Sequence, residues 1–98
     1  MSRLPKPGTA EKAVILKMTS PDRPVPSWSY KGGHTLYESR ALTELLCQRL
    51  VIRGWLDEIH EADCVRYRVN GVGLEEAAKL RSEEATAEIL GFLDPTGR

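Results

Sequence analysis

The most restrictive feature of the chain is a run from Glu38 to Arg53 with neither glycine nor proline, closed by Gly54 and followed by two short alternating segments. Within the run, Leu42, Leu45, Leu46, Leu50 and Ile52 form an apolar stripe at helical spacing. Arg49 and Arg53 suit the negative end of that helix's dipole, and Gly54 is placed as the left-handed residue that ends it. Beyond the glycine, Trp55-Leu56-Asp57-Glu58-Ile59 alternates as a short strand does. Cys64-Val65-Arg66-Tyr67-Arg68-Val69 alternates more strictly, with Val65, Tyr67 and Val69 on one face and both arginines on the other. His60 to Asp63 form the turn between them. The spacing therefore predicts a helix leading through one glycine into a β-hairpin.

The flanks add helices on both sides. Residues 1–8 read as a flexible basic arm, because Pro5 and Pro7 forbid a regular helix. Thr9 is a fair N-cap for a helix over 10–19, in which Ala10, Val14 and Met18 recur at fourfold spacing beside Ala13 and Ile15. Pro21, Pro24 and Pro26 make 19–27 a loop. Residues 28–37 fit either a short hairpin about Gly32-Gly33 or a turn that leads into the next helix. Asn70-Gly71-Val72-Gly73 stops the second strand, and a last helix over 74–93 carries Leu74, Ala78, Ala85, Ile89 and Phe92 on one side. Residues 9–93 then make one domain, with a tail over 94–98.

Composition bounds the function. Ninety-eight residues suit one domain with a thin core, which a second copy would supplement. The formal charge is zero, but it is unevenly placed. Residues 1–34 carry six bases against Glu11 and Asp22, whereas 54–64 hold Asp57, Glu58, Glu61 and Asp63 and no base. A uniformly basic nucleic-acid coat is excluded; a local basic face is not. Two cysteines are too few for a secreted disulfide scaffold, and neither a signal peptide nor a membrane-length apolar run is read, so a cytoplasmic protein without membrane contact is expected. His34, Cys47, His60 and Cys64 lack the paired spacing of a zinc site. No nucleophile with an orienting partner and no dinucleotide loop is visible, so neither enzyme activity nor a cofactor is expected.

The stretch from Ala41 to Ala78 resembles the second half of a winged helix-turn-helix domain. The carrying residues are Leu50-Val51-Ile52-Arg53-Gly54-Trp55-Leu56 at the end of a recognition helix, and Tyr67-Arg68-Val69-Asn70 running into Gly73 and a further helix. The resemblance implies an α+β fold with a two-stranded wing and a C-terminal helix. It also implies a small transcriptional regulator that reads duplex DNA with the 38–53 helix. The slot of the family's second helix holds Pro24 to Gly33, so that helix is expected to be shortened, displaced or absent.

On that reading the apolar stripe points Leu42, Leu45, Leu46 and Leu50 inward, and Ser39, Arg40, Thr43, Glu44 and Cys47 lie opposite. Ser39, Arg40 and Thr43 are then the base-reading residues, with Lys31, Arg66 and Arg68 on phosphates and His34 and Thr35 beside them. The same residues also fit a merely solvated helix face. The hairpin turn His60-Glu61-Ala62-Asp63 is acidic where a DNA-binding wing is basic, and Arg66 and Arg68 fit a charge ladder with Asp57 and Glu58 as well as they fit phosphates. A second reading follows: a winged-helix module that docks its acidic wing on a protein partner. The C-terminal helix either folds back on Val14, Ile15 and Met18 or pairs with its copy in a homodimer, which would read a palindrome.

Overall fold

The computed structural model describes the backbone of residues 6–93 and the side chains of residues 6–83, and among these residues it holds three helices and three short strands. In chain order they are α1 (Thr9–Met18), β1 (Ser27–Ser29), α2 (Arg40–Ile52), β2 (Leu56–His60), β3 (Val65–Val69) and α3 (Gly71–Leu93). The strands form one antiparallel sheet in the order β1-β3-β2. The fold is thus α+β. No helix lies between Met18 and Arg40. Among the described residues, no helix is long and apolar enough to cross a membrane.

The hairpin forms where the alternation put it. Asp57 faces Arg68 and Ile59 faces Arg66 in register, and the Glu61 amide donates to the Cys64 carbonyl at 2.9 Å to close the turn. Tyr67 is buried and Val65 and Val69 are half-buried, so one face of β3 meets the core. Residues 28–37 form neither a hairpin of their own nor a simple turn. Ser27–Ser29 instead adds a third strand against β3, with Trp28 opposite Tyr67. These two rings stack at 6.4 Å between centroids, and both are almost wholly buried.

Helix starts differ from the sequence reading for identifiable reasons. Thr9 is the first helical residue of α1, and Gly8 holds the cap position without a side-chain bond. Glu38 sits at φ 56, outside helical space, so α2 begins after Ser39, whose hydroxyl accepts from the Leu42 amide at 3.1 Å. At the other end Gly54 is left-handed with φ 83, as a terminator requires. Helix α3 starts at Gly71 because Asn70 caps it, its Oδ1 accepting from the Gly73 amide at 2.9 Å. The Asn70 amide group also donates to the Gly54 carbonyl and to Asp57, which ties the end of α2 to the start of α3.

Both long helices are rotated from the expected facing. In α2 the buried residues are Thr43, Leu46, Cys47 and Leu50, whereas Leu45 is half exposed and Ile52 is 71% exposed. The helix is turned by roughly a fifth of a turn from the leucine stripe. The reason is Thr43, which has a use inside: its hydroxyl donates to the Ser39 carbonyl and accepts from the Leu36 and Tyr37 amides. In α3, Gly73, Ala77 and Leu80 face inward, and Leu74 and Ala78 are exposed. Gly73 sets that facing, because a Cβ there would collide with the Trp55 carbonyl. The side chains of Ala85, Ile89 and Phe92 lie outside the described residues. The first part of α3 packs on α1, where Arg81 donates to the Leu16 carbonyl at 2.6 Å and the Thr19 hydroxyl at 3.0 Å.

One core joins these elements: Val14, Ile15 and Met18 of α1, the inner face of α2, Trp28, Leu36, Trp55, Leu56, Tyr67, and Ala77 and Leu80 of α3. Beside it an ion cluster forms around the buried Glu11 carboxylate, with Arg53 nearly buried and Arg49 exposed. Glu11 of α1 accepts from Arg49 at 3.0 Å and from Arg53 at 2.5 Å, and the Glu11 and Arg53 side chains are 8% and 10% exposed. Arg53 also lies over the Trp55 ring.

Candidate functional site

The three expected base readers are built into the N-terminal end of α2. Ser39 is the helix cap. Thr43 is fully buried and holds three hydrogen bonds, so it presents nothing to a groove. Arg40 is exposed, but its guanidinium lies 4.8 Å from the Tyr30 ring centroid and donates to the Tyr30 carbonyl at 3.2 Å. Leu36 and Tyr37 return to α2 through Thr43, and Arg40 grips the loop before them. Together these contacts hold the segment before α2, in the slot where a second helix was expected to be shortened, displaced or absent and where none is found. Their sequence signal was the hydroxyl pair Ser39 and Thr43, which reads equally as cap and as DNA contact.

The face that α2 leaves outward is different chemistry. Ala41, Leu45, Gln48 and Ile52 follow one another at helical spacing and are all exposed. None of them is charged. Gln48 reaches back to the Tyr67 hydroxyl at 3.3 Å, which leaves the two aliphatic side chains as the ridge of that face. Cys47, expected outside, is in the core, and burial pushes its thiol up to about 12, with Glu44 adding to the shift.

The three expected phosphate contacts do gather. Alternation puts Arg66 and Arg68 on the sheet face away from the core, beside Ser29 and Ser27 of β1, and Lys31 follows from the loop after β1. Two of the three are paired with the acidic turn: Lys31 with Asp63 at 2.5 Å, and Arg66 with Glu61 at 3.3 Å. The Arg66 hydrogen bond holds the Glu61 carboxyl below the usual range, and the bond from Cys64 adds to this. That same bond to Glu61, first of its causes, pushes the Cys64 thiol up. The expected ladder with Asp57 and Glu58 is not formed: Asp57 bonds to Asn70, and Glu58 meets His60 at 3.0 Å. Arg68 is exposed and makes no ion pair among the described residues. His34 and Thr35 are exposed, and His34 lines a cleft of about 210 Å³ with Lys31 and Arg66.

The arrangement offers an aliphatic ridge on one helix and a partly neutralised basic sheet face. Among the described residues, no group of three or more His, Cys, Asp or Glu is placed to hold a metal ion. Comparison with family models, with curated proteins and with solved structures returns no match to this chain.

Proposed function

We propose that the chain is a winged-helix-type interaction module that docks on a protein partner through the outward face of α2. The winged-helix reading is supported by α2 running through one glycine into the hairpin, and by β1 joining that hairpin in the order β1-β3-β2. The observation that carries the docking reading is Leu45 and Ile52, 50% and 71% exposed on the face that a DNA reader lays in the groove. Base edges are read by hydrogen-bonding side chains, and phosphates by cations. An aliphatic ridge does neither, while apolar anchors of this kind form the centre of protein interfaces. Asp63 of the acidic turn shares a cleft with Glu44 of α2, which favours a partner with basic residues at the rim.

A second reading, duplex DNA, is favoured by one observation: Lys31, Arg66 and Arg68 share one side of the sheet. Contact there would set position without reading sequence, and it would weaken steeply with salt. The homodimer expected from α3 belongs to the same test, because a second copy is one partner the ridge admits.

The test compares the wild-type chain with Leu45→Asp/Ile52→Asp, two exposed positions whose change leaves the core intact. Cross-linking in the source cell's lysate, sedimentation velocity and duplex binding at low salt are read together. Docking through α2 predicts one specific partner, or a dimer, that the variant loses while its melting temperature holds. A random-sequence duplex bound equally by both proteins, with no partner lost, overturns it in favour of DNA.

A further inference from the structure

The loop that leaves β1 folds back over its own strand. Gly32 has φ 83, and Gly33 lies so near the Ser29 carbonyl and the Trp28 indole that a Cβ at 33 would strike both. Two side chains clamp the loop: Trp28 Nε1 donates to the His34 carbonyl at 2.5 Å, and the Ser29 hydroxyl donates to the Lys31 carbonyl at 3.0 Å. These bonds engage the loop's carbonyls. The turn over 30–32 turns the Gly33 amide back toward β1, while the backbone amides of Lys31, His34 and Thr35 donate to no protein acceptor among the described residues. Free amides on either side of a left-handed glycine are the makings of an anion nest.

The charge around this loop has the matching sign. Between loop and sheet lies the cleft of about 210 Å³, whose wall includes Lys31, Arg66, His34, Ser27 and Ser29 and no carboxylate. That volume is several times what one water needs. The carboxylates that pair with Lys31 and Arg66 come from the hairpin turn, outside the wall. All four of these side chains are substantially exposed, from 37% for Arg66 to 71% for Lys31, so the pairs are weak and open readily.

We propose that this cleft binds a phosphate group, held by Lys31, Arg66 and the loop amides, with Asp63 and Glu61 as its intramolecular competitors. A guanidinium presents two parallel donors to phosphate oxygens, and an ammonium adds a point charge. A dianion outcompetes single carboxylates at the same cations. No residue of α2 lines the cleft, so the proposal does not rest on protein docking at the α2 ridge.

The test follows the amide signals of residues 31–35 and the Trp28 indole by NMR as inorganic phosphate is added, at constant ionic strength against chloride. Saturable shifts confined to the loop and Arg66 are expected. Lys31→Ala/Arg66→Ala should weaken binding about tenfold, as loss of charge-assisted bonds does. Glu61→Gln/Asp63→Asn should strengthen it about threefold by removing competitors whose pairs are weak. A short duplex added afterwards identifies the source: displacement of phosphate from the loop assigns a nucleic-acid backbone, and no displacement assigns a small phosphorylated molecule. The proposal is overturned if chloride gives the same shifts, or if the double alanine variant binds as the wild type does. Non-saturating shifts, those of amides that merely exchange with water, overturn it equally.

Discussion

The N-terminal half of α2 and the outer face of the sheet both carry polar groups that the sequence offers as DNA contacts, yet they are used in opposite ways. On α2 the groups close internal bonds: Ser39 caps, Thr43 holds two loop amides, and Arg40 grips Tyr30. Further along the same helix, Arg49 and Arg53 converge on buried Glu11. On the sheet, Lys31 and Arg66 meet exposed carboxylates and Arg68 meets none among the described residues. Thr43 and Glu11 are buried, which makes the bonds they hold structural, since an unpaired charge or amide there has no water to turn to. Exposure makes the second set exchangeable, since water and salt compete for each partner. A surface that recognises something else is built from the second kind.

The comparison breaks most sharply at Glu11. Glu11→Ala removes the one acceptor between two arginines, and Arg53 is left almost buried with its charge uncompensated. A loss of roughly 3–5 kcal/mol is expected, as when one partner of a buried ion pair is removed. Urea unfolding measures it. A loss no larger than that of an exposed pair would show that the α1–α2 cluster is not structural.

Thr43→Val tests the polar half of the same helix. Valine keeps the shape of threonine but has no hydroxyl, so the Leu36 and Tyr37 amides lose their acceptor. The expected cost is about 1–3 kcal/mol. Hydrogen exchange at those two amides should quicken as well. Unchanged exchange would mean that the loop is held by Leu36 burial alone.

How far these roles were legible in the sequence follows from what each rests on. The hairpin was legible because its period of two has only one solution once Tyr67 is buried. That α2 exists was legible from Glu38 to Arg53; which way it faces was not. Leucines at 42, 45, 46 and 50 cover a wide arc, and the choice within it was made by Thr43, whose value depends on a loop returning from residue 36. Strand β1 was hidden because Ser-Trp-Ser is three residues long and is recruited by β3, not by its own pattern. Asn70 was readable as a cap in principle, yet two glycines behind it suggested a stop. Of the candidate site, the half on strand β3 and its neighbouring loop came together, and the half that depended on the rotation of α2 did not.

The thiol of Cys47 gives a smaller, pH-dependent effect. Its folded value is raised to about 12, above an unfolded value near 9, so the neutral thiol is favoured by folding. That stability is complete below pH 9 and is lost as pH rises from there toward 12. Between pH 9 and 10 the loss is about 1 kcal/mol. Cys47→Ala should be less stable at neutral pH but lack this added slope. An identical slope in the variant would assign the alkaline loss elsewhere; Tyr67, pushed up mainly by burial, is the next group of the same sign.

The smallest effect is expected on the sheet face. Glu61 has its carboxyl held below the ordinary range by Arg66, so its pair is intact above the unfolded glutamate value, near pH 4.5, and is lost only as pH falls through the lowered folded value. Glu61→Gln should therefore leave the melting temperature at pH 7 within error of wild type, because an exposed pair exchanged for water changes little. On acidification to pH 3 the wild type should lose slightly more than the variant, which no longer has that proton to take up. Were Glu61→Gln instead to destabilise the neutral protein as much as Thr43→Val does, the sheet-face pair would be as structural as the buried set. Arg66 would then not be free to exchange a carboxylate for a phosphate, and the division between the two regions would collapse.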